Sequence, residues 1–241
     1  MRLRLLTWDV KDTLVRLRCS VGEQYSAVAK SFGIQVEPKA LESSFHKVYR
    51  VQNKLFPNYG LDRGLSSQQW WGDVVKQTFR NCGVSEDWVL AQIAENLYSD
   101  YSMEKNWEVL PGIRETLHQC HQFGLRLAVI SNFDRRLEQI LNHCNLGHHF
   151  EFIMTSEKAG VAKPDIRIFQ KALCMAGVMP QHSAHFGDDY INDYWAARNA
   201  GMHSYLIQQD EHIKNSERHV PKEHILKSPR HVLTILKNAE C

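Results

Sequence analysis

Five short apolar runs mark the chain, at residues 2–10, 125–132, 150–156, 184–188 and 203–208, each ending near a polar or small residue. Runs of that length, bounded that way, predict strands buried on both faces. Between the last four, apolar positions recur with the period of a helix. Residues 111–123 place Ile113, Leu117 and Cys120 on one face. Residues 135–146 do the same with Leu137, Ile140, Leu141 and Cys144, and residues 164–176 with Ile168, Ala172 and Met175. Strands alternating with helices at this spacing predict an α/β fold: a Rossmann-like parallel sheet with helices on both faces.

That rhythm stops between residues 20 and 103, which hold no convincing strand and about four helical stripes. Val21, Tyr25, Val28 and Phe32 form the first stripe, and Leu41, Phe45, Val48 and Tyr49 the second. Ser66 or Ser67 is placed to cap a third helix carrying Trp70, Trp71, Val74, Val75 and Phe79; Ser85 is placed to cap a fourth with Val89, Ile93 and Leu97. The expected organisation is a core of residues 1–19 and 104–241 with a helical cap, residues 20–103, inserted after the first strand. Trp70 and Trp71 are neighbours on one helix and point about 100° apart, so one is expected inside the bundle and the other at its edge. Residues 210–229 are polar and charged, and a short helix is expected over 230–239.

Composition changes this picture little. The chain has 241 residues, 43% of them hydrophobic and 23% charged, enough for a packed core. Lys and Arg number 29 against 27 Asp and Glu, a near-balance that argues against nucleic acid or a membrane surface as the main partner. No apolar run approaches the roughly 20 residues that span a bilayer. The first ten residues suit a strand better than a signal peptide. The six cysteines are scattered without a CxxC pair, as expected of thiols in a reducing compartment. These features predict a soluble intracellular protein, cytoplasmic by default; they set no oligomeric state. The pairs His118/His121 and His182/His185 lack a third metal ligand, so solvated histidines are the expectation.

In an open parallel sheet, ligands gather at the carboxyl ends of the strands. The first run ends in Asp9, with Thr13 four residues on, and the second ends in Ser131 and Asn132. Lys163-Pro164 follows the third, and the fourth ends in Gly187-Asp188-Asp189 with Asp193 just beyond. A carboxylate, a hydroxyl, a lysine and an acidic pair thus converge on one edge. Asp189 reads as solvated or structural, and a helix-start charge is the competing role for Asp193.

This ordered set, Asp9-Val10-Lys11-Asp12-Thr13, Ser131-Asn132, Lys163-Pro164 and Gly187-Asp188 with Asp193, resembles the motifs of the haloacid dehalogenase-like hydrolase superfamily. The insert resembles that superfamily's helical cap of the first type. The resemblance implies a phosphatase acting on a small phosphorylated substrate through an aspartyl-phosphate, with Asp9 as nucleophile. It implies Mg²⁺ held by Asp9, the Lys11 carbonyl and Asp188. It gives Ser131 and Asn132, with Thr13, to substrate binding and the turn, Lys163 to charge neutralisation, and Asp193 to orienting Lys163 or a metal-bound water.

Lys11 departs from the pattern. The superfamily's phosphatases carry aspartate two residues after the nucleophile, where it protonates the leaving oxygen and then activates water. Asp12 is three residues away and, in extended backbone, would face the other side. A lysine among Asp9, Asp188 and Asp193 should stay charged and lie near Asp9. Loss of general acid–base help costs roughly a hundred- to ten-thousand-fold in rate. Three readings therefore stand: a phosphatase with weak or altered chemistry, a binding protein retaining an anion site, or a hydrolase of phosphonatase or dehalogenase type that dispenses with the missing group.

Overall fold

The structure is a computed structural model that describes residues 3–208 and 220–239. In chain order its strands and helices are β1 (Leu5–Trp8), β2 (Val15–Leu17), α1 (Val21–Ser31), α2 (Pro38–Leu55), α3 (Ser67–Arg80), α4 (Asp87–Asp100), β3 (Trp107–Val109), α5 (Ile113–Gln122) and β4 (Arg126–Ser131). There follow α6 (Leu137–His143), β5 (Phe152–Thr155), α7 (Ser156–Ala159), α8 (Arg167–Ala176), β6 (Ser183–Gly187), α9 (Ala196–Asn199), β7 (His203–Ile207), β8 (Ile225–Leu226) and α10 (Val232–Ala239). They form two compact units: Met1–Arg16, Val109–Phe133 and Leu141–Cys241 make the first; Leu17–Glu108 and Asp134–Ile140 make the second.

The first unit contains a six-stranded parallel sheet in the order β5-β4-β1-β6-β7-β8. All four residues of β1 are buried, as a central strand covered on both faces requires. From β1 the chain winds outward to β4 and β5 on one side and to β6, β7 and β8 on the other. The carboxyl ends of β1, β4 and β6 are therefore adjacent at the point where winding reverses, the usual ligand crevice of such sheets. One core cluster packs Leu5, Ala128 and Ile130 of the sheet against Ile168, Phe169 and Ala172 of α8.

The second unit is helical. α1 starts at a capping box in which Ser20 and Glu23 exchange hydrogen bonds, and α3 at another made by Ser66 and Gln69. These residues supply the orphan N–H groups of a first turn with acceptors. Tyr25, Leu41, Phe79, Leu90, Ile93 and Leu97 form its main core. Trp70 is buried and donates from Nε1 to the Phe56 carbonyl, while Trp71 is half-buried.

Several expectations need correction. The strands are shorter at their ends than the apolar runs, because hydrogen-bonded pairing stops before hydrophobicity does. β2, β3 and β8 were not expected: runs of two or three residues carry no period. Ser85 does not cap the fourth helix; Glu86 is its N-cap and makes no side-chain cap bond. The units divide at residues 17 and 108 rather than 20 and 103, and residues 134–140 group with the helical unit. Of the polar stretch 210–229, residues 210–219 lie outside the described residues; Ile225–Leu226 pairs with β7. No helix among the described residues is long and apolar enough to cross a membrane.

Candidate functional site

Asp9 follows β1 directly, and its N–H donates to the Phe186 carbonyl at 2.8 Å. Its buried carboxylate accepts from Lys163 Nζ at 2.6 Å and from the Ser131 side chain at the end of β4. Lys163 spends three N–H groups: on Asp9, on Asp193 Oδ1 at 2.5 Å and on the Ile130 carbonyl at 3.0 Å. An ammonium has three donors, so this one is saturated. The lysine's backbone is clamped by Asn132, whose Nδ2 donates to the Lys163 carbonyl at 2.8 Å while its Oδ1 accepts from the Lys163 N–H at 2.7 Å. Asn132, assigned to substrate, thus has its amide engaged in placing Lys163. The Lys163–Pro164 peptide bond is cis.

Asp188 stands one residue past β6 and accepts from Thr13 Oγ1 at 3.1 Å. Thr13 is fully buried in the turn after β1, so its hydroxyl points inward at a carboxylate. Asp193 lies in a π-helical turn, Tyr190–Trp195, that opens at Asp189. Asp189 is exposed and caps that turn through the N–H groups of Ile191 and Asn192, a structural role. Gly187 lets the backbone pass beside Asp193, for a Cβ there would lie 2.2 Å from the Asp193 carboxyl carbon.

Burial and the neighbouring Asp9 and Asp193 push the Asp188 carboxyl up to about 7, with Asp12 adding to the effect. Burial also raises Asp9, and Asp193 reinforces it against the pull of Lys163. Burial alone would depress the Lys163 ammonium, but Asp193 and Asp9 outweigh it and hold the group charged. Burial likewise opposes ionisation of Asp193, yet Lys163 and His185 draw its pKa below the carboxylate range.

Asp9, Asp188 and Asp193 each bring an oxygen within 4.8 Å of the others, forming a group able to hold a metal ion. The donor set is all oxygen, which suits a hard cation such as Mg²⁺. Asp188 is raised first by burial and then by the negative charge of Asp9, Asp193 and Asp12, a charge that a bound cation would offset. Asp193 already accepts from Lys163, His185 and the Asp189 N–H, so Asp9 and Asp188 are the pair better able to ligate.

Lys11 has a partner that sequence reasoning did not give it. Its ammonium pairs with Asp12 at 2.5 Å, and its side chain is 53% exposed. The assumption of extended backbone fails here. Asp12 has φ of 61°, and the N–H groups of Thr13, Leu14 and Val15 all reach back to the Val10 carbonyl. The chain curls into a tight turn, which draws Asp12 alongside Lys11 and within electrostatic range of Asp188.

His185 and Thr7 were missed. His185 is fully buried rather than solvated, with Nε2 3.2 Å from Asp193 Oδ1 and Nδ1 2.9 Å from Thr7 Oγ1. Burial holds its pKa below the ordinary value despite Asp193. A polar residue inside an otherwise apolar strand, opposite another in register, was the available signal.

The fold and this ordered site define a known class. The sequence profile of the haloacid dehalogenase-like hydrolase family matches residues 41–207, and the chain belongs to that family. It is 52% identical to haloacid dehalogenase-like hydrolase domain-containing protein 3 of Xenopus laevis over 243 aligned positions, covering 99% of each chain. Among solved structures it resembles the 2-haloacid dehalogenase of Pseudomonas syringae pv. Tomato DC3000, with a TM-score of 0.72 at 19% identity over 98% of this chain and 99% of that one. It also resembles a magnesium-bound hydrolase of the same superfamily from Bacillus subtilis, with a TM-score of 0.73 at 16% identity over 98% of this chain and all of that one.

Proposed function

We propose that the chain is a Mg²⁺-dependent phosphohydrolase acting on a small phosphorylated metabolite, with turnover limited by the residue at position 11. The supporting observation is the Asp9 carboxylate, buried between Lys163 and Ser131 and adjacent to Asp188. In this reading an Asp9 oxygen attacks phosphorus, the ester P–O bond breaks, and the leaving alkoxide takes a proton from solvent water. Water then attacks phosphorus, freeing phosphate and regenerating Asp9. Ser131 and Lys163 orient the nucleophile and offset charge on the phosphoryl oxygens. Mg²⁺, held by Asp9, Asp188 and the Lys11 carbonyl, would add electrostatic stabilisation of the same oxygens. The helical unit is inserted where the family's cap belongs, and we assign it to substrate selection.

The pairing of Lys11 with Asp12 favours one competing reading, a phosphate-binding protein without turnover, because no carboxylate stands two residues beyond Asp9. Dehalogenation is disfavoured by the retained Gly187-Asp188, which that branch lacks; its structural neighbours share only the fold. Release of phosphate from p-nitrophenyl phosphate separates the two main readings. Metal-dependent release by the wild type, abolished in Asp9→Asn, is the expected result. Anion binding without release in any divalent metal would replace the enzyme with the binding protein.

A further inference from the structure

Asp193 is held by more than Lys163. Its Oδ2 accepts from the Asp189 N–H at 3.0 Å, and its Oδ1 is shared between Lys163 Nζ and His185 Nε2. Behind His185 stands Thr7, its register partner across the β1–β6 pair. Neither residue is accessible to solvent, and Phe169 packs edge-on against the imidazole with ring centroids 5.1 Å apart. These two polar side chains lie in the most buried strands of the sheet, where an unpaired polar group is costly.

The hydrogen positions follow from chemistry. An ionised carboxylate only accepts, so His185 Nε2 must carry a hydrogen. A neutral imidazole then offers a lone pair at Nδ1, and Thr7 Oγ1 donates to it at 2.9 Å. The alternative acceptor for that hydroxyl, the Ala184 carbonyl, is farther at 3.3 Å. The order of donation is therefore Thr7 to His185 to Asp193. Lys163 donates to Asp193 from the other side, and to Asp9.

We propose that Thr7 and His185 are positioning residues which lock Asp193, and through it aim the Lys163 ammonium at Asp9; this rests on the reading of Asp9 as the nucleophile. Lys163 has a long, flexible stem, and its direction is set by the acceptors around its tip. With Asp193 pinned at both oxygens, Nζ has one place to sit. Without the His185 bond, the carboxylate can rotate and Lys163 can follow it. At metal sites, partners that hold a ligand from behind typically contribute about 10- to 100-fold in affinity or activity, and a loss of that order is the scale expected here.

The test uses the full chain with Mg²⁺ and p-nitrophenyl phosphate. Thr7→Val removes the hydroxyl while keeping a β-branched shape, and should lower kcat by about 10-fold or more with KM nearly unchanged. Thr7→Ser restores the hydroxyl and should recover kcat to within about threefold; a purely structural role would track melting temperature instead. A second measurement needs no turnover. Nitrogen NMR of the wild type should show His185 neutral with its hydrogen on Nε2, and the Lys163 ammonium resonance should shift in Thr7→Val. A cationic His185, a hydrogen on Nδ1, or a Lys163 signal indifferent to Thr7→Val overturns the proposal. So does unchanged kcat in Thr7→Val when the wild type is active. If the wild type releases no phosphate, the phosphohydrolase reading fails, while the NMR result still decides whether Thr7 and His185 aim Lys163.

Discussion

At the scale of single residues, the proposed chemistry turns on Lys11 and Asp188. Lys11 occupies the position of a general acid–base aspartate, yet its ammonium is exposed and tied to Asp12. Lys11→Asp puts a carboxylate there in register, and phosphatase activity should rise at least tenfold, within the range that general acid–base catalysis contributes. Steady-state phosphate release over a panel of phosphate esters measures it; a flat response would mean the missing aspartate is not limiting. Asp188, with its carboxyl raised to about 7 mainly by burial, is largely neutral below that pH and must lose its proton to bind a cation. Mg²⁺ affinity should therefore increase from pH 6 to pH 8 and level off above. Calorimetry at several pH values tests the sign, and Asp188→Ala should abolish the binding.

At the scale of elements, the site depends on how closely β6 passes the turn that follows it. Gly187 ends β6, and a methyl group there would overlap the Asp193 carboxyl. Gly187→Ala should displace Asp193 and cost about 1–3 kcal/mol, the usual penalty for overpacking a close contact. Urea denaturation measures the loss, and Lys163 should lose its anchor in the same variant. A stability equal to wild type would show that the π-helical turn can give way. Sequence reading could find the glycine but not its reason, since Asp193 returns to Gly187 only because Tyr190–Trp195 winds as a π-helix. The turn after β1 has the same lesson. The residues Lys11 and Asp12 were legible; their mutual pairing arose from a left-handed residue that no hydrophobic period encodes.

At the scale of the molecule, two units each carry a core. Within the helical unit, Asp134 and Arg136 form a buried ion pair: Arg136 Nη2 lies 2.6 Å from Asp134 Oδ2, and Asp134 also accepts from Trp71 Nε1 at 2.8 Å. The guanidinium stacks over Tyr98 at 3.9 Å and donates to its carbonyl. Removing one partner of a buried pair strands the other, typically at about 3–5 kcal/mol. Asp134→Ala should therefore loosen the helical unit preferentially. Hydrogen exchange read by mass spectrometry should show faster exchange in α3 and α4, with β1 and β4 unchanged. Uniform loss of protection would mean that the two units unfold as one.

The sequence by itself determined the order of elements, the parallel sheet and four strand-end positions. Buried parallel strands announce themselves as apolar runs, and topology sends their carboxyl ends to one edge. It also determined that Asp9, Ser131, Lys163, Asp188 and Asp193 would meet there. Only the tertiary structure decided how they meet. The saturation of Lys163, the clamp by Asn132 and the burial of Thr7 and His185 depend on side chains brought together across 31 to 178 residues of chain. The turning of Lys11 onto its neighbour Asp12 has a local cause, a backbone bend that overrode an argument from extended geometry. Periodicity records which face of an element is buried; it holds no record of which polar atoms will find one another once that face is covered.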